Sequence, residues 1–472
     1  MHDACPLLFW TIVITASKHS VSHQDLYTAL TAEYTNLLAG SIVKVLRSVS
    51  QLHALLIIVM WPLPYPGPTH DPSWGYCGMI LNAALQMGMH RPSFHREYGF
   101  PDLTQQQVQL RTVTWMMAFQ TSVWYVTRMP SDFRGSPANR GSLGTFLGIP
   151  PFIDATPHMD AILANPSGLP KIIVNHTDIQ RHVARFTLAL ESATDLGGKV
   201  MHINMFERDL ERLRTSVEST WSNDMELNVT GARLYLYSHI FVGRRRGSGA
   251  AGQARLLLED SGSRTIIFSG LTTAVKYIHS FCGAGPSSDT SPGASSAPET
   301  HRHLSYPHHY WRTLVLASFY LLRILALASE IPAAEQELAR NYLTKAYDIF
   351  LSYPNSIETL AVAKTIELLV QTTTGVPTEN KVTTRLGASI IYDGLLTFSQ
   401  VQKARSTGML PQGEPETVGP GVGSPGEMPM TPSIAAYDDF DGGFSLAEFL
   451  NTDWDLPWDA NFFDIGSDVL DR

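Results

Sequence analysis

Through most of the first 400 residues the apolar positions recur every three or four residues, and the strict alternation of a half-buried strand is scarce. Phe206, Leu210, Leu213 and Val217 form one such stripe, with Glu207, Arg208, Glu211 and Arg212 turned away from it, which predicts an amphipathic helix. Cys77, Ile80, Leu81, Ala84, Leu85 and Gly88 make another stripe. Asp71 and Pro72 supply the start of that helix, and Pro92 forbids its continuation. Thr104 and Gln107 have capping-box spacing ahead of a helix that bears Val108, Trp115, Phe119 and Val126. Helical periodicity continues over 310–328, 332–353 and 356–371. The pattern predicts an all-α body over residues 1–405, with Trp74, Leu81, Leu85, Trp115 and Phe119 substantially buried.

Two breaks interrupt it. Residues 283–303 are built almost entirely of Gly, Ser, Pro, Ala and small polar groups, so they read as a flexible insertion without enough apolar surface to offset the entropy of ordering. Residues 406–436 contain six prolines and six glycines and read as a linker. Beyond it, residues 437–472 interleave eight aromatic residues with ten acids and a single arginine. The chain of 472 residues carries a net charge of -9, and all of that excess lies in this tail. The body is neutral, and it offers no net basic field to attract phosphates.

In the tail, Phe440, Phe444, Phe449, Trp454, Trp458, Phe462 and Phe463 are the candidate partner-binding residues. Repulsion between carboxylates keeps such aromatics in water and available to a partner groove, which is the composition of an acidic activation domain. Ser445 and Glu448 make a latent capping box flanked by Phe444 and Phe449 at staple positions, so residues 446–450 are expected to become helical on binding.

Other candidate chemistry is weaker. Gly247, Gly249 and Gly252 match the spacing of a dinucleotide-binding loop after the apolar run 234–242. However, Gly243 and three arginines intervene and no strand-helix-strand units surround it, so a surface loop is expected and a nucleotide-binding oxidoreductase is a distant alternative. His301, His303, His308 and His309 cluster beside the insertion and are expected to be solvated rather than to ligate a metal. No motif nominates a nucleophile with its base, so an enzyme is not expected. Cys5, Cys77 and Cys282 are too few for a disulfide framework, which suits a reducing compartment. The stretch 7–16 has the length of a signal-peptide core, but Asp3 is the only charge before it and no A-x-A site follows, so secretion is not expected. The stretch 52–63 is too short to span a bilayer and Arg323 interrupts the run 314–328, so no membrane anchor is expected.

The segment Trp74-Gly-Tyr-Cys-Gly-Met-Ile-Leu-Asn-Ala-Ala-Leu-Gln-Met-Gly-Met-His-Arg91 resembles the hallmark helix of the fungal transcription factor regulatory domain. Arg111-Thr-Val-Thr-Trp115 is similar to the Arg-x-x-x-Trp helix that follows in that family, and Leu147-Gly-Ile-Pro-Pro151 to its next short segment. Residues 6–13 and 55–64 resemble the branch of leucine-responsive and extracellular-protease regulators.

The resemblance implies a nuclear regulator of transcription, an activator that contacts coactivators through its tail and pairs with itself or with an intact relative. Family members carry zinc in a binuclear cluster held by six cysteines ahead of this domain. Three cysteines cannot build it, so no cofactor is expected in this chain and DNA is reached only indirectly or through a missing N-terminal module. The chain then reads as either a shortened version of a longer regulator or a paralogue that has lost its DNA-binding head. A cofactor or competitor of an intact relative is the alternative function.

Overall fold

The computed structural model describes residues 5–64, 71–100, 102–128, 156–193, 195–217, 221–242, 250–282, 303–327, 331–353, 357–373 and 386–406. Among these the protein is all-α, as the periodicity predicts. The helices are α1 (Pro6–Lys18), α2 (Gln24–Ile42), α3 (Val49–Met60), α4 (Ser73–Gln86), α5 (Gln105–Arg128), α6 (Thr156–Ala164), α7 (Lys171–Ser192) and α8 (Leu196–Ser216). There follow α9 (Asn223–Ser238), α10 (Ala250–Glu259), α11 (Ser261–Phe281), α12 (His308–Ala326), α13 (Ala333–Ser352), α14 (Ile357–Thr373) and α15 (Ser389–Ser406).

Local chemistry fixes many of the helix starts. The Thr104 amide donates to Gln107 Oε1 at 2.8 Å and the Gln107 amide returns a bond to Thr104 Oγ1, the predicted capping box of α5. A second box, Ser48 with Gln51, opens α3. Asp260 accepts from the Ser263 amide at 2.7 Å ahead of α11, and Ser222 caps α9 in the same way.

The body is organised around α12. Every residue from His309 to Leu322 is buried, as are Ile324, Leu325 and Ala326, which is what an α-helix does when it is apolar on all sides. It packs against α3, α5, α9, α11, α13, α14 and α15. A second layer runs through α9, which contacts α7 and α11, while α1 packs on α2 and α3, and α3, α4 and α5 pack on one another. Arg323, which interrupts the apolar run of α12, is half-buried, with its guanidinium 5.7 Å from the Phe241 ring centre.

The predicted stripes shift slightly. Trp115 and Phe119 are buried, whereas Trp74, Leu81 and Leu85 are half-buried and pack on the core from its edge. On α4 the buried positions are Ser73, Cys77, Ile80, Ala83 and Ala84, because small residues let neighbouring helices cover that line. Phe206 and Leu210 of α8 are buried as expected, and the side chain of Val126 lies outside the described residues. The run 234–242 is the end of α9 and a tight turn rather than a strand, and Ala250 to Gly252 open α10, so among the described residues no strand precedes the glycine pattern, of which Gly247 and Gly249 lie outside the described residues.

The histidine cluster requires a correction. His303, expected in a solvated insertion, is buried, and its Nε2 is 2.8 Å from Ser352 Oγ. His308 and His309 lie on the first turn of α12, where His309 stacks on Trp124 with ring centres 3.7 Å apart. Proximity to a low-complexity stretch says nothing about the next helix, which begins at once after Pro307. His303 therefore belongs to the body.

Candidate functional site

The two motifs of the hallmark region come together as a clasp between α4 and α5. Helix α4 ends in a Schellman arrangement: the Met89 amide donates to Ala84 O at 3.0 Å and the Gly88 amide to Leu85 O at 2.9 Å. Gly88 has φ +68°, and a Cβ there would lie 2.2 Å from Tyr98 Cγ. The carbonyl of Met87, freed by the helix end, accepts from the Arg111 guanidinium, which also sits 4.1 Å from the Phe100 ring centre. His90 packs among Tyr98, Trp115 and His158 at ring separations of 5.2–5.8 Å. The motif residues thus terminate one helix and lock it to the next. Leu147–Pro151 lies outside the described residues.

A second constellation gathers charges at the start of α12. Arg312 donates to Asp71 at 2.7 Å, with both side chains 4% exposed, and His308 lies 3.4 Å from Glu358 at the start of α14. Burial alone would raise the Asp71 pKa. The Arg312 guanidinium and the bond from Ser73 outweigh burial and hold the carboxyl below its usual value. Burial, reinforced by Arg312, lowers the His308 pKa against the opposing pull of Glu358. Lys18 at the end of α1 donates to the Pro62 carbonyl, and burial lowers its pKa to about 8.

A third is a polar ring inside the core. Asn228 Nδ2 donates to Tyr310 Oη at 2.7 Å and lies 3.4 Å from His176 Nε2. Next to His176, Thr177 Oγ1 accepts from Gln120 at 2.7 Å, and one turn beyond Gln120 is the Trp124 that stacks on His309. The ring ties α5, α7, α9 and α12 together. Burial lowers the His176 pKa to about 4, so the ring is uncharged at neutral pH.

None of these constellations joins an accessible nucleophile to a base. The surface cleft between α7 and α8, about 340 Å³, is lined by Asp178, His182, Asp209, Arg212, Leu213 and Ser216, whose charges are largely engaged with one another and with Arg181 and Arg185. Among the described residues no group of three or more metal-ligating side chains occurs, and no helix is long and apolar enough to cross a membrane. Cys5 and Cys77 are buried and Cys282 is exposed, and burial raises the Cys77 pKa, the opposite of what a zinc thiolate needs. The three do not fit a six-thiolate cluster. The tail residues Phe440, Phe444, Phe449, Trp454, Trp458, Phe462 and Phe463, linker residues 407–436 and residues 283–302 lie outside the described residues, and Ser406, read as the first linker residue, ends α15.

The chain is similar to the "Transcriptional regulatory protein SEF1" of Candida albicans, 26% identical over 264 residues, or 51% of this chain and 25% of that protein. It is 30% identical over 127 residues to the "Putative transcription factor SEF1" of Kluyveromyces lactis, covering 26% of this chain and 11% of the relative. The protein of that name in Saccharomyces cerevisiae is 29% identical over 121 residues, 25% of this chain and 10% of the relative. The chain spans a quarter or less of the length of these relatives. No family model matches the chain. No solved structure matches it.

Proposed function

We propose that this chain is a nuclear regulator of fungal transcription, an activator rather than an enzyme, in which the helical body positions an acidic-aromatic tail. The observation that carries the reading is the set of relatives: curated transcription factors align with up to half of the chain. The clasp formed by Gly88, Arg111 and Trp115 adds support, since the residues behind the family resemblance hold one compact element of the fold. Residues 1–405 form the regulatory domain, 406–436 the linker and 437–472 the activation tail, whose Phe440, Phe444, Phe449, Trp454, Trp458, Phe462 and Phe463 face coactivators.

With three cysteines this chain carries no six-cysteine cluster, so it reaches DNA through another module or through pairing with an intact relative. A cofactor or competitor of such a relative is the second reading, favoured by the neutral charge of the body. The test is the full chain fused to a heterologous DNA-binding domain. It is expected to activate a reporter, and removal of residues 437–472 is expected to abolish activation. A silent full-length fusion whose reporter is repressed below background would favour the competitor.

A further inference from the structure

The polar ring of the core is a closed circuit through four helices. Trp124 of α5 stacks on His309 of α12, and Tyr310, the next residue, accepts from Asn228 of α9. Asn228 lies against His176 of α7, and Thr177 beside it accepts from Gln120, one turn before Trp124. All of these side chains are buried, and Gln120, Thr177 and Asn228 are fully enclosed. Helices α5 and α7 run in the same sense here, since the Gln109 amide lies against Gly168 ahead of α7 and Gln120 reaches Ile173 and Thr177. The next turn of each helix therefore brings Trp124 level with Gln180, which is fully enclosed as well.

Much of the hydrogen-bonding capacity of this circuit is unused. Gln120 spends its Nε2 on Ile173 O at 3.1 Å and on Thr177 Oγ1, which fixes which end of the amide is nitrogen, and its Oε1 meets no donor. Asn228 spends its Nδ2 on Tyr310 Oη and on Asp224 O at 3.1 Å, and its Oδ1 meets no donor either. Trp124 Nε1 and both ends of the Gln180 amide are likewise without a partner. Buried amides left unpaired are costly and rare. Packing does not ask for an amide at Gln180, because a methionine would fill a similar volume without that cost.

We propose that the ring is a hydration site, in which buried water bound by Gln180, Gln120 Oε1, Asn228 Oδ1 and Trp124 Nε1 joins α5, α7, α9 and α12. The chemistry of the unused groups selects the ligand. They include both acceptors and donors, so the ligand must give and take hydrogen bonds. The ring carries no charge of its own, so the ligand is neutral. The side chains around it are buried, so the ligand enters only through brief openings of the body and must be small. Water meets all three conditions, and an internal water typically makes about three hydrogen bonds to groups of this kind. Its directional bonds select one way for the four helices to meet, where apolar contact alone tolerates several.

Magnetic relaxation dispersion of the solvent water signal counts long-lived internal waters in the full chain and tests this. Q180M removes both amide groups at nearly constant volume, and it is expected to lose at least one such water relative to the parent. W124F removes the indole N–H and keeps an aromatic ring against His309; it is expected to lose the same water or to exchange it faster, and it carries the comparison if Q180M does not fold. Equal dispersion in the parent and the folded variants would overturn the proposal. A stability measurement adds a test of sign. Taking idle polar groups out of a dry interior leaves the urea midpoint unchanged or raises it, whereas stripping a bound water of its holders lowers it. Q180M is expected to have the lower midpoint, and an unchanged or higher one would overturn the proposal. A small-molecule adduct in the native mass spectrum of the parent that is missing from Q180M would also overturn it, in favour of a neutral metabolite as occupant.

Discussion

Arg312 of α12 and Asp71 ahead of α4 are 241 positions apart in sequence and form an ion pair at 2.7 Å, with 4% of each side chain exposed. The Asp71 side chain also accepts from the Ser73 amide, so one carboxylate caps α4 and anchors it to the central helix. Such a pair does not have to add net stability, but half of it left alone is costly. D71N and R312M are each expected to lower unfolding stability by about 3 to 5 kcal/mol, measured by urea titration at pH 7. The double variant is expected to lose less than the sum of the two.

The same site carries a pH dependence with a definite sign. Arg312 holds the Asp71 carboxyl below its unfolded value, so its contribution is present above about pH 4 and is lost as pH falls through the lower, folded value.

Buried histidines act in a higher window. Burial lowers the His239 pKa to about 3 and the His176 pKa to about 4, so in the native state both remain neutral where the unfolded chain takes up protons. His239 Nδ1 is 3.1 Å from Tyr235 O, and its Nε2 accepts from the Gly387 amide at 3.2 Å, a bond that a second proton would break. Stability is therefore expected to fall as pH drops from about 6.5 towards 4. Urea midpoints between pH 7.5 and 4.5 check this, and H176N is expected to flatten the curve. A midpoint independent of pH over that range would contradict the neutral, buried state.

Gly88 gives a backbone test of the hallmark region. Its φ of +68° and the 2.2 Å approach of a Cβ to Tyr98 Cγ both oppose a side chain. G88A is expected to cost more than about 1 kcal/mol, with heat denaturation as the readout. G88A/Y98A is expected to recover the steric part and leave the φ strain. Gly387, whose added Cβ would meet Tyr235 O at 2.5 Å, is expected to be as intolerant.

Periodicity in the sequence carried the helices because each side chain's exposure follows from its neighbours three and four positions away. The Thr104–Gln107 box, the stripes of α5 and α8, and the three helices near 308–373 are legible for that reason. What is not legible depends on distant partners. Nothing near Arg312 announces Asp71, and nothing near Asn228 announces Tyr310, 82 positions on. The histidines at 303–309 read as solvated because composition beside them is polar, while their packing comes from Trp124, Ser352 and Glu358 on other helices. In α4, small residues moved the buried line by one position and left Leu81 and Leu85 at its edge.

The central claim is that aromatic groups of the tail do the work of activation and that its acids assist encounter. The direct measurement is reporter output from residues 437–472 fused to a heterologous DNA-binding domain. Replacing Phe444, Phe449, Trp454 and Trp458 with Ala is expected to abolish activation if, as proposed, these groups fill the partner groove. Replacing two of the ten acids with their amides is expected only to weaken it, since long-range charge mainly speeds association. A tail without those four aromatics that activates as strongly as the original would contradict the account and leave the acidic segment as a solubilising extension.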